Sequence, residues 1–399
     1  MPPRLSLLVR DIAVLLTMDG PAIPGGAVLF EDDAVAWVGA STDAPSAAEV
    51  VDGSGCIGLP GLVDCHTHAL FGGSRAREFE RRLAGEDYST ILLEGGGILG
   101  TVRATRAASD EELVDSLSAR LQDFLEQGVT TVEVKTGYAL SLEHELRCLQ
   151  LMGGRSWPTR VLRTWLGAHT VPAEFRPDPS AYVDHLIDEM LPLVAAHAEF
   201  VDVYCDRGAF TLEAARRVLE AGIAAGLKGR IHAEQVELTG SADLAAELGC
   251  TSADHLERIS DEGIAAMAGA GTVAVLLPGA RLYLRDPAPP VDAMRAAGVP
   301  IAVATDFNPG TSPLRSLLGA ATLACLDMGL SVDEALLGIT RNAGRALGRP
   351  ELGWLGVGSV ADLSLFEPPP GEPADPAVLV QYLGGHRART VVRDGKVVL

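Results

Sequence analysis

Lysine is almost absent from this chain: Lys135, Lys228 and Lys396 are the only three in 399 residues. The positive charge is therefore nearly all arginine, and 32 basic against 53 acidic residues leave a formal net charge of −21. A field of that sign repels nucleic acid and anionic membranes, so neither is expected as a partner. It offers no long-range attraction to an anionic small-molecule substrate either, which local arginines would have to hold. No apolar run approaches the roughly 18 residues of a membrane span. Arg10 and Asp11 interrupt the first apolar stretch, so no secretory signal peptide is expected. The six cysteines form no Cys-x-x-Cys pair and have no regular spacing. That excludes a zinc knuckle or disulfide frame and fits reduced thiols in a cytoplasmic protein.

What is present is an ordinary globular composition, 47% hydrophobic and 21% charged, which excludes disorder. The length suits two or three domains, or one large barrel with a small appendage. Residues 4–58 read as short β-rich runs (5–9, 13–16, 27–30, 34–38) broken by turn residues. The same texture returns after Trp354, with runs 361–366, 390–392 and 396–398, the last two flanking the hairpin signal Asp394-Gly395. Pro368, Pro369 and Pro370 mark a loop. Both termini are expected to build one small composite β-sandwich, from segments 1–59 and 354–399.

The segment between, 60–353, alternates eight β-type runs (61–68, 130–138, 161–169, 200–206, 229–235, 251–257, 272–279, 301–308) with helical patterns. Helices are expected over 110–127, opened by the capping box Ser109–Glu112, over 211–225, and from Ser331 toward Leu347. Eight such units predict an α/β fold, a TIM-type (β/α)₈ barrel. An open doubly wound sheet is the competing arrangement.

Polar residues gather at the C-terminal ends of these runs: His66 and His68, Lys135 and Tyr138, His169, His232 and Gln235, His255, and Asp306 with Asn308. That end is the active face of a barrel, so the groups are expected to converge. His66-x-His68 places two imidazoles on one side of a strand. Alone, the pair also fits two packed histidines. With His232 and Asp306 it makes three nitrogens and an oxygen, the donor set of a catalytic Zn²⁺ or Fe site with an open position. A two-metal centre would need a bridging ligand, often a carbamoylated lysine on the fourth strand, and the fourth run has no lysine. Lys135 lies on the second, where an ion pair with Glu133 or a neighbour is the expected role.

Arg75 follows the first run and reads either as a clamp for a substrate carboxylate or as a solvated surface arginine. Gly95-Gly96-Gly97-Ile98-Leu99-Gly100 matches a dinucleotide fingerprint but shows no helical stretch after it, so a glycine loop over the site, or on the surface, is expected instead. His144, His185, His197 and His386 read as structural.

The motifs Val63-Asp64-Cys65-His66-Thr67-His68, Phe71-Gly72-Gly73-Ser74-Arg75, Lys135-Thr136-Gly137-Tyr138, Leu166-Gly167-Ala168-His169, His232-Ala233-Glu234-Gln235, Ser252-Ala253-Asp254-His255 and Ala304-Thr305-Asp306-Phe307-Asn308-Pro309-Gly310-Thr311 closely resemble those of the imidazolonepropionases, in the amidohydrolase superfamily. Gly95–Ile98 matches as well. The resemblance runs from about Pro60 to Leu347.

It implies one Zn²⁺ or Fe³⁺ per subunit on His66, His68, His232 and Asp306. It implies substrate contacts from Arg75, Tyr138, His169, Gln235, Asn308, Gly310 and Thr311. The implied reaction is hydrolysis of the cyclic amide 4-imidazolone-5-propanoate to N-formimidoyl-L-glutamate in histidine catabolism. Asp306 would move the proton and His255 would stabilise the oxyanion. Some members have Glu where this chain has Gln235, and an amide orients by hydrogen bonds but is no base. Arg281 and Leu282 depart from the aromatic residues usual after Pro-Gly-Ala, which bears on the seventh loop. A homodimer is expected from the family alone. A cyclic-ureide hydrolase or deaminase would share the metal set without needing Phe-Gly-Gly-Ser-Arg, and a non-catalytic scaffold would be expected to lose ligands.

Overall fold

The computed structural model describes residues 6–86 and 96–399; Leu5 and Gly95 lie outside them. The N-terminal strands are β1 (Ser6–Leu15), β2 (Ile23–Glu31), β3 (Ala34–Ala40), β4 (Glu49–Asp52) and β5 (Ile57–Pro60). The expected runs 5–9 and 13–16 are one strand, bent at a bulge where Asp11 takes φ +59°. The bend lets β1 pair with β4 along its first half and with β5 along its second, both in parallel. The sheet thereby turns over its own core of Leu7, Val9, Ile12, Val28 and Phe30.

The eight parallel barrel strands follow: β6 (Leu62–Asp64), β7 (Val129–Lys135), β8 (Arg160–Ala168), β9 (Phe200–Cys205), β10 (Lys228–Ala233), β11 (Ser252–His255), β12 (Val273–Leu276) and β13 (Ile301–Val303). Every residue of β7 is buried, as in a strand covered on both faces. The eight runs are those expected, but several strands stop earlier, and His66 and His68 lie just past β6. Beyond the last ladder bonds the barrel closes through the site segments themselves. Thr67 bridges Phe307, the Asp306 amide donates to the His66 carbonyl at 3.0 Å, and the His68 amide donates to the Phe307 carbonyl at 2.9 Å. Asp64 adds a side-chain link, accepting from the Thr305 hydroxyl at 2.6 Å.

The capping box of the helix Asp110–Glu126 forms in both directions, and Thr211 caps Leu212–Ala224. Two expectations need correction. The helix from Ser331 is two, Val332–Gly338 and Arg341–Ala346. Thr340 divides them, its hydroxyl taking the Leu336 carbonyl. A helix, Ile98–Ala107, does follow the glycine run. Its polar face hid it, since Thr101, Arg103, Thr105 and Arg106 interrupt the apolar pattern.

The chain returns to the first sheet with β14 (Leu363–Phe366), β15 (Thr390–Arg393) and β16 (Lys396–Val397). β14 pairs antiparallel with β5, so the two termini share one sheet, and Asp394-Gly395 turns the last hairpin with both φ positive. This sheet meets the barrel at the N-terminal ends of its first strands. Gly128, at φ +85°, allows the approach, because a Cβ there would meet the Phe366 ring at 2.6 Å. Arg160 clasps the two parts, donating to Asp362 at 2.8 Å and to Asp394. No helix among the described residues is long and apolar enough to cross a membrane.

Arg160→Met strands the buried Asp362 carboxylate without its cation. The expected loss is about 3 kcal/mol of unfolding free energy in urea, with unchanged activity in the folded fraction. A loss below about 0.5 kcal/mol would show that the clasp does not hold the two parts together.

Candidate active site

Five histidines meet at the C-terminal mouth of the barrel: His66, His68, His169, His232 and His255. His66 and His232 ring centroids lie 4.6 Å apart, and His169 stacks on His68 at 5.1 Å. The four histidines structural by sequence lie elsewhere; His386, for instance, is buried against the Val378 carbonyl.

The tautomers of two rings follow from their partners. His66 Nδ1 faces Asp254 at 2.6 Å, and His232 Nδ1 faces Asp202 at 3.0 Å. Each carboxylate accepts the Nδ1 proton, so the Nε2 lone pair points the other way. There His232 Nε2 sits 3.4 Å from His68 Nε2, and Asp306 Oδ1 lies 3.5 Å from His66 Nε2 and 3.4 Å from His68 Nε2. His66 Nε2 is buried with no hydrogen-bond partner. Electron pairs crowded in this way repel unless a cation lies among them. The donors therefore fit a metal ion, His66 grouping with His68 and Asp306 on one side and with His232 and His255 on the other. Burial holds His66 and His68 well below the usual imidazole range, in the neutral form a metal requires.

Beneath the imidazoles lies an ionic layer that sequence reading found only in part. Lys135 pairs with Glu133, as expected, but equally with Asp202, each at 2.8 Å. Burial alone would depress the Lys135 ammonium; Asp202 and Glu133 outweigh it and hold the group above its ordinary value. Arg230, also fully buried, donates to Asp254 at 2.9 Å. Glu133 further accepts the Thr67 amide at 3.1 Å, fixing the residue between His66 and His68. With its nitrogen held by two carboxylates, Lys135 is not placed as a metal bridge. An acid in an otherwise apolar run, Asp202 in Phe200–Cys205, was the available signal for this layer.

Above the cluster opens a cavity of about 540 Å³, lined by His68, Arg75, Tyr138, His169, Gln235 and Asp306 among others. His232, His255, Asn308 and Thr311 also line it; Gly310 does not. Gly310 sits behind Arg75, where a Cβ would collide with the guanidinium, and its amide is taken by Asn308. Asn308 Oδ1 also accepts from the Thr311 amide at 2.7 Å, while Nδ2 donates to Asp306 Oδ2 at 3.1 Å. Asn308 thus ties this loop to the cluster.

Arg75 is not the exposed rim side chain that a surface reading supposes. It is 8% exposed and bound to Glu78 through Nε at 3.0 Å and through Nη2. Glu78 in turn accepts the Gly97 amide at 2.9 Å, so the glycine turn and the arginine are one unit. Arg82 and Arg207, unnoticed in the sequence, also line the cavity. Gln235 is oriented by a residue equally unnoticed: Tyr204 Oη donates to its Oε1 at 2.9 Å. The seventh loop is a short helix, Pro278–Leu284, in which Arg281 turns to Asp327 and Leu284 reaches the cavity.

Leu140, Glu234, His255, Leu256 and Asp306 have positive φ, half of the ten such non-glycine residues described. Each costs about 1–2 kcal/mol.

The chain matches the amidohydrolase family model Amidohydro_3 over residues 81–399. It is 47% identical to an imidazolonepropionase of Polaromonas sp. strain JS666, over 94% of this chain and 89% of that protein. It is 46% identical to the imidazolonepropionase of Geobacillus kaustophilus, over 94% and 91%. The chain belongs to the imidazolonepropionase family. Among solved structures, a zinc-bound adenosine deaminase from Xanthomonas campestris superposes with a TM-score of 0.74 at 18% identity, covering 99% of this chain and 93% of that one. That likeness concerns the amidohydrolase fold alone. The family membership makes this chain a hydrolase, as its mouth-facing donors suggest.

Lys135→Met leaves Glu133 and Asp202 as two buried carboxylates with no cation between them. It is expected to cost about 3–5 kcal/mol in equilibrium unfolding. A cost under about 1 kcal/mol would mean that the ionic layer is not what holds the site.

Proposed function

We propose that this chain hydrolyses 4-imidazolone-5-propanoate to N-formimidoyl-L-glutamate, a step of histidine degradation. The observation that carries the reading is a cluster of inward-facing donors at the floor of an arginine-lined cavity, in a chain of this family. His66, His68, His232 and Asp306 would hold one ion, zinc or iron. Such an ion, when bound, supplies Lewis-acid chemistry by acidifying a water molecule and polarising the ring carbonyl.

The residues around it perform the remaining tasks. Asp306 Oδ2, the oxygen held by Asn308, takes the proton from the attacking water and returns it to the ring nitrogen that leaves. His255 donates a hydrogen bond to the oxyanion that develops on the carbonyl oxygen. Arg75, fixed by Glu78, and Tyr138 hold the propionate, while Arg82 and Arg207 add positive charge to a wall of an otherwise acidic protein. His169 and Thr311 line the substrate's path, and Gly310 serves by giving Arg75 room. Gln235, its carbonyl engaged by Tyr204, orients the substrate through its amide NH₂. The reaction occurs in the cytoplasm, consistent with six cysteines of which none is paired, and the family suggests a homodimer.

Purified protein is expected to consume the imidazolone with loss of its ring absorbance. No turnover, alongside hydrolysis of a cyclic ureide or a cytosine-type base, would overturn the substrate assignment. Elemental analysis should find about one ion per chain, and two would overturn the single-site reading. His255→Ala should lower kcat roughly 10²-fold or more, whereas Gln235→Ala should chiefly raise KM. Near-normal kcat in the first with abolished kcat in the second would reverse these roles.

A further inference from the structure

Glu257 takes no part in the donor cluster, the ionic layer or the cavity wall, yet its side chain is fully buried. Neither of its carboxyl oxygens has a hydrogen-bond partner. Across from it, His255 Nδ1 is likewise buried and without a partner, 3.9 Å from Glu257 Oε2. Two orphaned polar groups facing each other in a dry setting call for a reason, because each forfeits its hydration. The backbone brings them together. His255 and Leu256 take φ of +83° and +71°, a consecutive left-handed pair that turns the chain just after β11 and leaves Glu257 against the imidazole.

A carboxyl group buried with no cation and no donor is neutral. Burial comes first among the causes here; the residue's own backbone amide opposes it, and the acids Asp286, Asp306 and Asp206 act in the same direction as burial. A neutral carboxyl carries a proton to donate, and the one unpartnered acceptor beside it is Nδ1. We infer that Glu257 is a positioning residue for His255: its carboxyl donates to Nδ1 and keeps the ring proton at Nε2, the nitrogen turned toward the reaction. The present 3.9 Å separation is too long for a hydrogen bond. Closing it takes a movement of about 1 Å, and such contacts commonly tighten only once substrate is bound. Without Glu257 the proton is equally at home on Nδ1, and His255 would then offer the oxyanion a lone pair where a donor is needed.

This inference rests on the hydrolytic reading for its consequence, but its primary test needs no substrate. In zinc-loaded protein labelled with ¹⁵N-histidine, the His255 resonances are assigned by their loss in His255→Ala. Their shifts should report the Nε2–H tautomer, and the Nδ1–H tautomer would overturn the proposal. In kinetics, Glu257→Gln retains an N–H donor of the same shape and should keep kcat within about threefold of normal. Glu257→Met should lose roughly 10–100-fold in kcat, the usual scale for a lost orienting contact, with KM and metal content little changed. Equal losses in both variants would mean that a negative charge is required, and normal kcat in Glu257→Met would mean that nothing is; either result refutes the assignment. Because the tautomer is read on the unmutated chain, an insoluble Glu257→Met leaves the test intact.

Discussion

Two cations that never see water, Lys135 and Arg230, determine where the imidazoles at the mouth point. Each neutralises a carboxylate that in turn grips one ring: Lys135 through Asp202 to His232, and Arg230 through Asp254 to His66. Burying such charges is a poor way to gain stability, since desolvation offsets most of the attraction. What the arrangement provides is direction. A ring held at Nδ1 by a charged partner has one tautomer and one orientation, and its other nitrogen is committed in advance to whatever lies at the centre of the cluster.

The barrel also closes at this level. Its first and last strands stop short of the mouth, and the seam above them is carried by His66, Thr67, His68, Asp306 and Phe307. Closure and the placement of these side chains are therefore one geometric event. The left-handed backbones of Asp306, Glu234 and His255 belong to the same compromise, with local strain accepted where side chains must converge on a point that regular strands would miss.

The architecture was legible because it rests on period and polarity. Eight apolar runs ending in polar groups announce a barrel mouth, and Asp394-Gly395 announces its hairpin. The motifs pointed to His66, His68, His232 and Asp306, which the fold brings to one mouth. What stayed hidden depends on who faces whom across the barrel. Nothing local says that Tyr204 meets Gln235, that Arg75 is engaged by Glu78, or that Gly310 is small so that an arginine fits in front of it. The helix after Gly97 escaped for a different reason: its interrupted apolar stripe looks like a loop until the barrel supplies the surface it covers.

The scarcity of lysine acquires a practical meaning once the fold is known. Lys135 is sealed inside, which leaves Lys228 at the base of β10 and Lys396 in the terminal sheet as the exposed side-chain amines. Both lie at the end of the molecule remote from the mouth. Coupling through these two side chains would thus anchor the enzyme by its closed end, with the entrance left facing the solution.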